Sequence, residues 1–261
     1  MTLLGGVASS VFWPITQQLI TAFGWRTAVL VLAGINLLIA APLHFFVLPR
    51  TPPRRVAREP GGKASGDSKS LREVLVDRRF YWLCGAYVAS GLVFSALAVH
   101  LIPIFQAKGI SLAAAAGIAA LVGVMQTGGR LLEMSAGRNV SIVRVGRMAC
   151  MLWAISILVL LAARGEYWHL ALFATLYGLS NGVMTIVRGA LPADLFGRDH
   201  YGAVSGALAT PAMFANASGP LVASLFWTAT GGNYDAVLFA LAIVSLAGVG
   251  LLYAATRPGS P

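Results

Sequence analysis

Acidic side chains are nearly missing from this sequence, with nine Asp and Glu in 261 residues against nineteen Lys and Arg. Charged residues together make up 11 %, less than half of the roughly 25 % carried by a water-soluble domain. That shortage excludes a core wrapped in a solvated shell. Cysteine is scarcer still: Cys84 and Cys150 lie in apolar runs without CxxC spacing. They read as small buried hydrophobes, not as a disulfide or a thiolate metal site. The sequence contains no metal-ligand cluster, no nucleophile–base pair, no P-loop and no dinucleotide fingerprint, so neither an enzyme nor a cofactor is expected. The first positive charge is Arg26, and without a basic leader a signal peptide is not expected either.

What is abundant is apolar sequence, 57 % of the chain. It gathers into eight blocks near 2–22, 26–48, 81–105, 112–133, 142–162, 168–190, 202–227 and 234–255. Each is long enough for the roughly 20 helical residues that cross a bilayer. The alternating short strands of a membrane barrel are absent from the pattern. The expectation is an all-α integral membrane protein with eight transmembrane helices.

The net charge of +10 is concentrated, since nine of the nineteen Lys and Arg fall between Arg50 and Arg79. Counted over alternate loops, the basic residues collect on one side, so both termini are expected in the cytoplasm of a multi-pass protein of the cell membrane. The basicity is then a topology signal plus contact with anionic lipid, and nucleic acid is not an expected partner.

The Pro-, Gly-, Ser- and Arg-rich stretch PRTPPRRVAREPGGKASGDSKS cannot bury apolar surface. Three regions are therefore expected: two membrane helices over 1–48, a basic cytoplasmic linker over 49–79, and a six-helix bundle over 80–261. Ser70-Leu71-Arg72-Glu73 has capping-box spacing, and Leu71, Val74 and Leu75 share a face of the short surface helix it would start. Gly24 followed by Ala28-Val29-Leu30 recurs as Gly232 followed by Ala236-Val237-Leu238, an offset of 208 residues. A parallel repeat of six helices per unit would give that offset, as transporters often show. On that count the first two spans are the tail of another unit, and a longer chain is expected to supply the front helices.

GGVASSVFWPITQQLITAFGWR, VHLIPIFQAKGIS, GGRLLEMSAGR, YGLSNGVMTIVRGALPADLFG and NASGP occur in that order. In order and spacing they resemble the fifth, seventh, eighth, tenth and eleventh helices of a major facilitator superfamily transporter, of its monocarboxylate and oxalate-formate branch, lacking the first four helices. Two departures stand out. The loop after GGRLLEM has no acid, and Gly6 and Pro14 are too far apart for the compact GxxxGP of drug–proton antiporters.

Several polar residues sit in the apolar blocks. Arg130 is close to one end of its block, with Glu133 at i+3 and Gln126 at i−4. A membrane arginine costs about 2.5–3.5 kcal/mol at a helix centre. One reading is a snorkelling or gate-side ion pair with Glu133. The other, which the resemblance implies, is a guanidinium that grips a substrate carboxylate through its two-pronged face. Gln126 and Asn181 would orient the anion. Arg188 has no acid within four residues and reads as a group bonded to loop carbonyls or Asp194, or as one serving gating or substrate attraction. His100, a residue type that titrates near neutrality, reads as a packing residue or a proton-coupling one. Gly178/Gly182 and Gly202/Gly206 share GxxxG spacing, the mark of close helix packing.

The resemblance implies alternating-access transport of a small organic anion, a carboxylate above all. Arg130, Gln126 and Asn181 would bind it, and Arg188, Glu133 and His100 would serve gating or proton coupling. The implied partners are a small-molecule substrate, the lipid bilayer and a coupling proton. A drug or amphiphile exporter and a non-transporting fragment are the competing readings.

Overall fold

A glycine decides the first turn of the chain. The computed structural model describes residues 2–47, 70–136 and 140–257. Its first helix, α1 (Thr2–Ile35), is interrupted at Gly24, whose φ of 76° and ψ of 163° no helix contains. A widened π-helical stretch, Asn36–Ala40, then leads into α2 (Ala41–Val47). These elements form one compact unit, Leu4–Gly66. Among its described side chains, Ala28 is buried while Leu30, Leu38 and Phe46 are exposed.

The second unit is built mainly from Asp67–Pro261. It opens with the short α3 (Leu71–Val76), capped as its sequence spacing predicts. The Glu73 carboxylate accepts from Ser70 N at 2.7 Å, and Ser70 Oγ accepts from Glu73 N at 3.4 Å. Of the face expected to be shared, Val74 is buried while Leu75 is exposed. Six long helices follow: α4 (Arg78–Ala107), α5 (Leu112–Ala136), α6 (Ile142–Ala162), α7 (Tyr167–Phe196), α8 (Tyr201–Ala229) and α9 (Tyr234–Ala255). Their main contacts run α5–α7–α6–α9–α4–α8, whereas α7 and α8 meet sparsely. Most of the 49–79 linker lies outside the described residues.

The expectation of eight membrane helices is corrected. Among the described residues six helices are long and apolar enough to cross a bilayer: Gln18–Phe46, Arg78–Ala107, Leu112–Ser135, Ile142–Ala162, Tyr167–Phe196 and Tyr234–Ala255. The blocks near 2–22 and 26–48 yield one such span between them. The α8 helix has the length but not the apolarity, because Pro211, Pro220, Asn216 and three glycines stand among its apolar residues. A run can look continuous by eye and still average too polar.

Gly24 and Gly232 both adopt positive φ, 76° and 86°, a region closed to most other residues. Positive φ also marks glycines in the turns between helices, Gly109, Gly165, Gly197 and Gly231 among them, and so does not distinguish the repeat inferred from sequence.

Small residues set the tightest crossings. A Cβ built on Gly182 would collide with Gln126 O, and one on Gly129 with Leu179 O. One on Gly178 would lie 2.6 Å from both Val122 O and Met125 Cβ. At this crossing α5 and α7 touch backbone to backbone, as GxxxG spacing predicts. The same spacing misleads at Gly202 and Gly206, around which there is open space.

At the opposite end of the unit from α3, Lys108 ties three segments together. Its Nζ donates to Ala163 O at 2.7 Å and to the Asp235 carboxylate at 3.0 Å. Only 9 % of the Lys108 side chain is exposed, against 68 % for Asp235. Solvent weakens the ion pair, so the bond to the carbonyl should dominate. Lys108→Met is expected to destabilise the protein by about 1–3 kcal/mol, and Asp235→Asn by clearly less. Thermal unfolding in detergent measures both.

Candidate functional site

The sparse meeting of α7 and α8 leaves a cavity of about 320 Å³ between α4, α7 and α8. Tyr87 and Gly91 line it from α4, Arg188, Gly189 and Pro192 from α7, and Tyr201, Ser205, Leu208, Ala212, Met213 and Asn216 from α8. The α4 and α8 walls are held close by glycines: a Cβ on Gly219 would strike Ser95 Oγ, and one on Gly91 would come within 3.1 Å of Ala212 O.

Arg188 supplies the only cationic group among the lining residues. Its Nη2 donates to Ser90 Oγ at 2.8 Å, and Ser90 in turn donates to Tyr87 O at 3.0 Å. Arg188 Nε is buried without a hydrogen-bond partner. Among the described residues no carboxylate pairs with this guanidinium. The titratable groups close enough to influence it are Tyr87, Tyr177 and Cys150, all of types neutral near pH 7. A guanidinium offers five N–H donors and stays charged. Here that charge is half-buried beside a cavity, with a serine as its hydrogen-bonding partner.

The backbone of α7 is altered at the same place. Pro192 has no N–H, so Arg188 O loses its ordinary i+4 donor. The Tyr87 hydroxyl donates to that carbonyl at 3.4 Å. One residue on, Gly189 O accepts from the Tyr201 hydroxyl at 2.8 Å. Two phenols, from α4 and α8, thus grip α7 around the arginine.

Of the six residues singled out from sequence, Arg188 alone lines this cavity. Gln126 and Arg130 lie at the α5–α7 crossing, where their backbones abut Gly182, the neighbour of Asn181. Both side chains are half-buried, as is Glu133 one turn beyond Arg130. Asn181 stands two turns before Arg188 on the same face of α7, one turn after Tyr177. The Tyr177 hydroxyl and Asn181 Nδ2 are buried without partners at hydrogen-bonding geometry, although the two interact electrostatically.

His100 sits elsewhere, bridging α4 to α8 and α9. Its Nε2 lies 3.2 Å from Pro220 O and its Nδ1 lies 3.4 Å from the Tyr234 hydroxyl. A carbonyl can only accept, so Nε2 carries the hydrogen. In the neutral ring Nδ1 then accepts from the phenol.

Sequence reasoning missed Tyr87, Ser90, Tyr201 and Ser205. The aromatics could have been flagged as polar-tipped residues near block ends, but nothing in their spacing joins residues about a hundred positions apart. Cys84 and Cys150 are free thiols, half-buried and buried.

Comparison with protein families matches residues 1–161 to the Major Facilitator Superfamily. The match covers well over half of the chain, including α4 with Tyr87 and Ser90, and ends within α6. Comparison with curated proteins finds no match. With six candidate spans and this match, the chain is a multi-pass membrane protein that belongs to the Major Facilitator Superfamily, a family of secondary transporters and not of enzymes.

Proposed function

We propose that this transporter carries a small organic anion, a carboxylate, by alternating access, and that Arg188 holds it. One observation carries the reading: the half-buried Arg188 side chain lines a cavity wall with a buried, unused Nε and no carboxylate partner. A charge left partly buried that way is costly, and an anion entering the cavity removes the cost. The cavity is at the lower end of the roughly 300–1,000 Å³ common for small-molecule sites. Asn181, aligned with Arg188 on α7, would orient the bound group or its approach. Arg130 and Gln126, at the α5–α7 crossing, would form a second polar station on the path.

For coupling, the reading assigns a proton to His100 or Glu133. Protonating Nδ1 of His100 would turn it from acceptor to donor toward Tyr234, altering the α4–α9 bridge. The basic run from Arg50 to Arg79 supports a cytoplasmic position for that segment and for both termini.

The test is uptake by the purified chain in proteoliposomes, with a panel of radiolabelled mono- and dicarboxylates and cationic amphiphiles. Saturable uptake of at least one carboxylate, inhibited by other carboxylates, is the expected result. Uptake of cationic amphiphiles with no carboxylate transported would favour the exporter reading and overturn this one.

A further inference from the structure

A hydroxyl out of habit marks a second recognition point. In these helices Ser and Thr side chains regularly bond back to a carbonyl three or four residues earlier: Ser95 to Leu92 O, Thr175 to Ala171 O, Ser180 to Tyr177 O, Thr210 to Gly206 O and Ser218 to Ala215 O. That local bond is what an apolar environment selects when nothing better is offered. Ser205 departs from it. Its Oγ is buried and has no hydrogen-bond partner, and it lines the Arg188 cavity.

Its position relative to the charge follows from the helix geometry. The Tyr201 hydroxyl is bonded to Gly189 O, beside Arg188. Ser205 is one turn, about 5–6 Å, further along α8. Ser205 therefore belongs to the α8 wall of the cavity that Arg188 lines from α7, with its unpartnered Oγ just beneath the surface of that wall. Between and beyond them the lining is largely apolar, with Leu208, Ala212 and Met213.

We infer that Ser205 is a specificity-determining residue that reads a second hydrogen-bonding group on the carboxylate, so that the preferred substrate is a monocarboxylate whose apolar body carries a hydroxyl or oxo group away from the acid. This rests on the carboxylate reading of Arg188 given above. A lone cation on the wall suits one carboxylate and not two. A volume of about 320 Å³ leaves room for a ring or branched chain, far more than a two-carbon acid needs. A buried hydroxyl without a partner rejects an apolar substituent, because its own polarity stays unmet, and accepts one that can donate to it or accept from it.

Matched probes test this. Radiolabelled phenylacetate is bound to the purified full chain in nanodiscs and displaced by unlabelled phenylacetate or by its three ring-hydroxylated isomers. At least one isomer should displace the label about fivefold more effectively than phenylacetate, the size of one neutral hydrogen bond. Ser205→Ala should bring that ratio to about one, and Ser205→Thr, which keeps the hydroxyl, should restore it. Equal displacement by all four acids, or a ratio that survives Ser205→Ala, overturns the inference while the carboxylate reading stands. Absence of phenylacetate binding, together with failure of every carboxylate in the uptake panel, overturns both.

Discussion

Arg188→Gln should reduce carboxylate transport by at least about 30-fold, the effect of removing one partner from a buried charge pair, while the protein becomes no less stable. The two halves of that outcome belong together. Glutamine can still donate, but its amide ends two bonds short of Nη2, so the 2.8 Å bond to Ser90 Oγ is weakened and not abolished outright. What is lost is a charge that the apoprotein must partly bury without an acid to meet it. A melting temperature equal to or above that of the parent, combined with lost uptake, would identify a group kept for its ligand at the expense of the fold. If instead Arg188 serves only to bolt the helices together, uptake and melting temperature should fall together. Arg188→Lys refines the measurement. It restores the charge but not the planar fork, so it should recover part of the uptake with weaker apparent affinity. Arg130→Gln is expected to do less than Arg188→Gln, since Arg130 lies at the α5–α7 crossing and not among the residues of the cavity wall.

Gly182→Leu should be the most disruptive single change to the fold. Even the first carbon of a side chain at this position would overlap Gln126 O and come within 3.1 Å of Arg130 N. Those atoms are backbone and cannot rotate away, so the whole of α5 would have to withdraw from α7. Overpacking of a core usually costs 1–3 kcal/mol, and about 3 kcal/mol or more is expected here because the obstacle is main chain. Gly206→Leu supplies the control. It has the same residue in the same GxxxG spacing, yet its Cβ meets nothing within 4 Å. Thermal unfolding in detergent should show a large loss for the first variant and little for the second. Similar losses for both would mean that glycine's helix propensity, and not the crossing, is what the measurement reads.

That contrast also shows what a sequence can and cannot convey. The apolar blocks, the Ser70–Glu73 cap and the positive-φ corners at Gly24 and Gly232 are local, and local sequence encodes them. The apolarity of α8 is overestimated when it is read by continuity: Pro211, Asn216 and Pro220 count for more in an average than they do in a pattern. Gly178/Gly182 and Gly202/Gly206 are indistinguishable as text, since spacing fixes which residues share a face but not what that face meets. The arginines differ for the same reason. Arg130 drew attention through nearby Gln126 and Glu133, whereas Arg188 had no such company in its own segment. Its company comes from α4 and α8: Ser90 and Tyr87 about a hundred residues earlier, Tyr201 and Ser205 after the next turn.

The proline at 192 gives this arrangement a mechanical side. An α-helix stiffens along its length because every rung of its ladder resists bending, and α7 lacks one rung beside its cationic residue. A phenol from a neighbouring rod stands in for it, and a phenol can let go at little cost. The segment therefore has a joint, with the charge mounted on it: tilting one end of the rod would swing the guanidinium and loosen Tyr87 in the same movement.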